Sequence, residues 1–142
     1  MTLAAPPPLI MLAEDDPDDR LLVRDALNET AYSGSLLEVE DGTALLAALA
    51  QREARPLLVL LDLNMPGKDG RETLAEIRQN PALHDVPVVI FTTSGAQADI
   101  LTAYQLGANS YLRKPSSYTG LRQMMQILVR YWFQTVTLPD SA

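Results

Sequence analysis

With 142 residues, 47% apolar and 20% charged, the chain fits one soluble domain that needs no disulfide or metal staple to bury its core. A net charge of −7 excludes a general nucleic-acid binder, which needs a basic face, and the lack of cysteine excludes disulfide, thiol and zinc–thiolate chemistry. Met1 to Pro8 lacks the pattern of a secretory signal and no apolar run approaches bilayer length, so a cytoplasmic protein with no membrane contact is expected.

Short apolar runs alternate with helical patterns along the chain. Leu9 to Ala13 reads as a buried strand. Pro17 to Asn28 reads as a helix, with Asp16 as N-cap and Pro17 at its first position. Leu36 to Val39 is a weaker strand. After Asp41-Gly42, Ala44, Leu45, Ala48 and Leu49 recur at helical spacing. Leu57 to Leu61 is a third strand, and Asp69 to Gln79 a helix with Leu74 and Ile77 on one face. Val86 to Phe91 is a fourth strand, with Pro87 where a strand begins. Ala98 to Leu106 reads as a helix, Ser110 to Leu112 as a short strand, and Leu121 to Phe133 as a long last helix. Residues 1–8 read as a tail, 9–133 as the domain, and 134–142 as a C-terminal tail that can join a dimer contact.

Five β–α units imply an α/β fold, a doubly wound parallel sheet with helices on both faces, because parallel strands need crossover connections. Strands one, three and four are nearly all apolar, as strands covered on both sides must be; the weaker second and fifth suit edges.

In such a sheet, functional residues gather where the strands end. Glu14, Asp15, Asp16, Asp18 and Asp19 follow strand one, Asp62 and Asn64 follow strand three, Thr92, Thr93 and Ser94 follow strand four, and Lys114-Pro115 follows strand five. Carboxylates from two adjacent strands repel unless a cation lies among them. Mg²⁺, with its preference for hard oxygen ligands, is the natural choice, and Mn²⁺ a substitute. Asp62 is then a candidate nucleophile toward a phosphoryl group, with Lys114, Thr92 and the metal each facing one equatorial oxygen.

The set Glu14-Asp15, Asp62, Thr92 and Lys114-Pro115 resembles the receiver domain of two-component response regulators. Asp62-Leu63-Asn64-Met65-Pro66-Gly67-Lys68-Asp69-Gly70 is similar to that family's phosphorylation-site run. The resemblance covers Leu9 to Phe133. It implies a flavodoxin-like strand order 2-1-3-4-5 and phosphotransfer from a sensor histidine kinase to Asp62. It also implies Mg²⁺ held by Glu14, Asp15, Asp62 and the Asn64 backbone carbonyl. Tyr111 corresponds to the switch aromatic that turns inward when Thr92 moves to the phosphoryl group, and Lys114-Pro115 to a cis peptide. Asn64, Thr93 and Ser94 flank the site and would tune access of water to it.

Ser116 stands where many receivers carry a large apolar residue; Ser116 and Ser117 are both good N-caps for the last helix. Other readings stand beside the functional ones. Asp18 and Asp19 suit the first turn of a helix through its macrodipole alone. Thr92 reads equally as a strand residue, Lys114 as a solvated one, Tyr111 as partly buried core, and His84 as a surface residue.

Leu121, Met124, Met125, Leu128 and Trp132 form the core-facing stripe of the last helix. Ile127, Val129, Tyr131 and Phe133 are apolar outside it. Such a face implies a partner: a homodimer through the last helix and fifth strand, with Ile127, Tyr131, Trp132 and Phe133 at the contact. The alternative is that Val136 to Pro139 fold back over it. The ending Trp132 to Pro139 is also similar to that of single-domain receivers serving bacteriophytochrome-type histidine kinases, in which self-association of this kind occurs.

Three rival functions lack a feature each. A haloacid-dehalogenase-like phosphohydrolase needs an aspartate where Asn64 stands, since an amide cannot shuttle a proton. A constitutive pseudo-receiver would have lost Asp62, Lys114 or the acidic pair. A nucleotide-binding flavodoxin-like protein would show a Gly-rich loop after strand one. The length leaves no room for a fused DNA-binding output.

Overall fold

The computed structural model describes residues 6–139, so the outermost parts of both expected tails lie outside the described residues. Five strands, β1 (Leu9–Ala13), β2 (Ser35–Val39), β3 (Leu57–Leu61), β4 (Val88–Thr92) and β5 (Ser110–Arg113), form one parallel sheet in the order 2-1-3-4-5. The crossovers are α1 (Pro17–Asn28), α2 (Gly42–Ala50), α3 (Gly70–Gln79) and α4 (Gln97–Gln105), and α5 (Tyr118–Val129) follows β5. This is the expected flavodoxin-like α/β fold. No helix among the described residues is long and apolar enough to cross a membrane.

Side-chain parity explains how one sheet buries two helical layers. Successive strand residues point to opposite faces. Leu9, Met11 and Ala13 of β1, Leu57, Val59 and Leu61 of β3, and Val88 and Ile90 of β4 pack with Leu45, Leu49, Leu74, Ile77 and Ala103 of α2, α3 and α4. The alternate residues Ile10, Leu12, Leu58, Leu60, Val89 and Phe91 pack with Val23, Ala26 and Leu27 of α1 and with Leu121, Met125 and Leu128 of α5. Strands that face helices on both sides have no place for a polar residue, and β1, β3 and β4 contain none before Thr92. The half-exposed β2 and β5 lie at the edges.

Helix starts are set by short polar side chains that satisfy the first free N–H groups. Asp16, Asp41, Asp69 and Ser117 accept from the N–H groups of Asp18, Ala44, Glu72 and Gly120 respectively. Two glycines shape the β3–α3 loop. Gly67 turns the chain with φ +71°, a left-handed conformation unfavourable for side chains. At Gly70 a Cβ would lie 2.2 Å from the Asp62 carbonyl oxygen, so only glycine lets α3 start against the end of β3.

The structure corrects four expectations. β4 pairs from Val88 rather than Val86, because the Val86 N–H closes a turn on the Leu83 carbonyl and Pro87 has no N–H to give. α5 begins at Tyr118 rather than Leu121, because Ser117 caps it, and ends in a π-helical turn, Arg130–Thr135, beyond residue 133. Val129 and Phe133 do not lie outside the core stripe: Val129 is buried, and Phe133 sits 5.1 Å, centroid to centroid, from Tyr32. The wider i→i+5 winding after Val129 rotates the following side chains away from α-helical phase, which spacing alone does not register. The Lys114–Pro115 peptide is trans, the form favoured even before proline.

Candidate functional site

The backbone ladder continues one residue past the strands at the polar positions. The Glu14 N–H donates to the Val39 carbonyl (3.0 Å), Asp62 N–H to Ala13 (3.1 Å) and Lys114 N–H to Thr92 (2.7 Å). Each polar residue is therefore fixed by the strand beside it, and Glu14 and Asp62 meet because Ala13 pairs with Leu61. The meeting point lies between β1 and β3, where the strand order reverses, the expected position for a site in an open α/β sheet.

Lys114 is the hub. Its ammonium, with the side chain 10% exposed, donates to Glu14 Oε1, to Asp19 Oδ2 at 2.9 Å and to Asp62 Oδ2 at 3.0 Å. A lysine has three N–H donors, so all are engaged. The Phe91 ring centroid lies 5.6 Å from the same nitrogen, within cation–π range. Glu14 and Asp62 are buried, while Asp15 is exposed. Burial is the main reason the Glu14 carboxyl is pushed up to about 7; bonds from Lys114 and the Asp16 N–H oppose this, and the Asp62 charge adds to it. For Lys114, burial pulls the other way, but bonds to Glu14 and Asp19 and the charge of Asp62 outweigh it. The ammonium stays charged, above its ordinary range.

Asp62 is held at both oxygens, since Oδ1 accepts the Asn64 N–H at 3.1 Å. Thr92 is fully buried, and its hydroxyl has no hydrogen-bond partner. A buried hydroxyl left unpaired costs free energy, and the fold supplies this one with no acceptor. Thr93 and Asn64 are exposed. The Ser94 hydroxyl donates to Asp99 Oδ2 at 2.5 Å, and its carbonyl accepts from the Tyr111 hydroxyl at 2.9 Å. Tyr111 is half-buried against the α2–α4 side of the core, and His84 is exposed.

One carboxylate oxygen each from Glu14, Asp15 and Asp62 lies within 4.8 Å of the others. Three hard oxygen donors converging at a strand switch fit Mg²⁺ or Mn²⁺ and do not fit a soft metal. Asp19 was assigned by its charge pattern to the helix dipole; in the structure it is also a partner of Lys114. Its only mark in the sequence is its place in the acidic run after β1, in the first turn of α1.

The expected contact residues divide. Ile127 and Tyr131 are exposed, at 69% and 51%, whereas Trp132 and Phe133 are half-buried against the α1–α5 core. Ile127, Tyr131, Met124 and Trp132 line a groove of about 640 Å³ with Leu112 and Ser110 of β5. The tail residues Val136 and Leu138 instead line a separate cavity with Pro8, Pro56, Trp132 and Phe133, at the amino ends of β1 and β3. Among the described residues, the tail thus leaves the face around Ile127 and Tyr131 open.

Comparison with known proteins agrees with this geometry. Residues 10–126 match the response regulator receiver domain family. The chain is 44% identical over 141 residues to response regulator Rcp1 of Synechocystis sp., covering 96% of each chain. It is similar to the crystal structure of the phosphorylated cyanobacterial phytochrome response regulator RcpA, with TM-score 0.86, 38% identity, and 95% of this chain and 99% of that one covered. It is also similar to the Mn²⁺-bound form of Rcp1, with TM-score 0.83, 43% identity, and 92% and 98% covered. A strand order of 2-1-3-4-5, an acidic pocket at the switch point and a match across most of the sequence lead to one conclusion: the chain belongs to the response regulator receiver domain family.

Proposed function

We propose that Asp62 accepts a phosphoryl group from a phosphohistidine of a sensor histidine kinase and that the aspartyl phosphate switches the protein's contacts. The observation that carries this reading is the setting of the Asp62 carboxylate, with Lys114 Nζ on one oxygen, the Asn64 N–H on the other, and Glu14 and Asp15 beside it. An Asp62 oxygen attacks phosphorus, a P–O bond forms, the P–N bond to imidazole breaks, and its electron pair returns to the ring nitrogen, which takes a proton from solvent. Lys114 can turn one N–H to an equatorial oxygen of the transferring group, and the unpartnered Thr92 hydroxyl can donate to a second. Glu14, Asp15, Asp62 and the Asn64 carbonyl would hold Mg²⁺, which when bound neutralises charge on the remaining oxygen. Movement of Thr92 would draw the β4–α4 loop with it and alter the Tyr111 contact at Ser94. Thr93, Ser94 and Asn64, around the mouth, set how freely water reaches the acyl phosphate.

The relatives named as phytochrome response regulators favour a bacteriophytochrome-type kinase as donor. The test is labelling from a phosphorylated kinase of that type and from a small acyl phosphate. Wild type should take label with Mg²⁺ and lose it with excess chelator, and Asp62→Asn should take none; label retained on Asp62→Asn rejects the assignment.

The open groove supports a homodimer through α5 and β5. Its exposed Ile127 and Tyr131 form an apolar patch beside the unpaired edge of β5, and a twofold contact would cover both at once.

A further inference from the structure

We propose that Asp19 is a positioning residue for Lys114: it receives the ammonium when a divalent cation takes the Glu14 and Asp62 oxygens. This rests on the reading of Glu14, Asp15 and Asp62 as the cation ligands.

Lys114 Nζ bonds three carboxylates, and two of them, Glu14 and Asp62, belong to the converging set. An ammonium and a divalent cation cannot share those oxygens without strong repulsion. A lysine with no other partner would either compete for the pocket or swing into solvent, away from the phosphoryl group it must meet. Asp19 lies outside the converging set, on the first turn of α1, and its bond to Lys114 is 2.9 Å long. It is the one carboxylate partner of the ammonium that lies outside the set the cation would take. Phe91 lies beneath the nitrogen, and Asp19, Phe91 and Lys114 line one small cleft between α1 and the β5–α5 loop, so the lysine is confined on the Asp19 side. The Asp19 side chain is 34% exposed against 10% for Lys114, which makes it a resting place at the rim of the pocket and not inside it.

The test measures Mn²⁺ binding to the full chain by electron paramagnetic resonance of the free ion. Asp19→Asn should bind about fivefold more weakly than wild type, a coupling of ordinary size for groups in one network. Asp18→Asn, which removes the same charge from the same helical turn, should change affinity less than twofold. Asp19→Glu should restore most of the loss. In Lys114→Gln and Lys114→Ala backgrounds, Asp19→Asn should have no effect beyond that of Asp18→Asn, because there is no ammonium left to hold. Equal losses in Asp18→Asn and Asp19→Asn, or an Asp19→Asn loss that persists without the lysine, would overturn the proposal in favour of plain charge attraction. A wild-type chain that binds no Mn²⁺ would reject the cation site itself and the role of Asp19 with it.

Discussion

The Tyr111 hydroxyl donates to the Ser94 carbonyl across 2.9 Å, tying β5 to the loop that leaves β4. The same serine is gripped from the other side, where its hydroxyl donates to Asp99 Oδ2, and Asp99 Oδ1 accepts from Arg71 Nη2 at 2.7 Å. A loop that would follow Thr92 is thus held by α3, α4 and β5 together. Tyr111→Phe keeps the packed ring and removes one hydrogen bond. It should lower stability by about 1 kcal/mol in urea denaturation while leaving the labelling of Asp62 intact.

The bond from Ser94, with Arg71 beside it, holds the Asp99 carboxyl below its ordinary value. A depressed carboxyl stabilises the fold above its unfolded value and loses that contribution as pH falls through the folded one. Acid unfolding of Asp99→Asn, followed by circular dichroism below pH 4, should therefore be less steep than that of wild type.

Glu14 behaves in the opposite sense. Its carboxyl is raised from 4.5 to about 7, so without metal the folded state binds a proton that the unfolded state has released, and stability falls as pH rises through that window. Cation binding needs the carboxylate, so it must displace that proton. Apparent Mg²⁺ affinity should rise about tenfold between pH 6 and pH 8, and Glu14→Gln should flatten the rise as well as weaken binding. Calorimetric titration at the two pH values checks both effects.

Removing Lys114 should destabilise the metal-free protein, because Glu14 and Asp62 then lie buried without a counter-charge. Breaking such a set by deleting one partner costs about 3 kcal/mol. Saturating Mg²⁺ should recover much of the loss in Lys114→Ala, so the ion should raise the melting temperature of the variant more than that of wild type.

The aromatic end of α5 separates association from folding. Tyr131→Ala removes an exposed ring at the groove, so it should shift sedimentation toward monomer at micromolar concentration with little change in melting temperature. Phe133→Ala removes a ring that packs on Tyr32 and should cost about 2 kcal/mol of stability, less than the loss for a fully buried phenylalanine.

The sequence was most legible where one principle acted alone. β1, α1 and β3 form over the residues that apolar runs and the Asp16-Pro17 start mark out. The acidic pocket was legible because its members sit at strand ends, which topology brings together whatever the intervening loops do. Legibility failed where two influences met. Asp19 served the helix dipole and the lysine at once, and the first account was sufficient from charge alone. Phe133 was misplaced because a helical wheel assumes one pitch, and the pitch changes at Arg130; Val129, four residues after Met125 within α5, lies on the core stripe by ordinary α-helical spacing. The unpaired hydroxyl of Thr92 is a property of its surroundings, and no residue pattern encodes it.

Trp132, the only tryptophan, forms a wall shared by the open groove and the cavity that receives Val136 and Leu138. The chain therefore carries its own optical reporter, placed at the far end of α5 from the acidic pocket. Its emission responds first to whatever fills either hollow. A change in that emission on treatment with a phosphodonor would be a signal that had crossed the domain, read without any attached label.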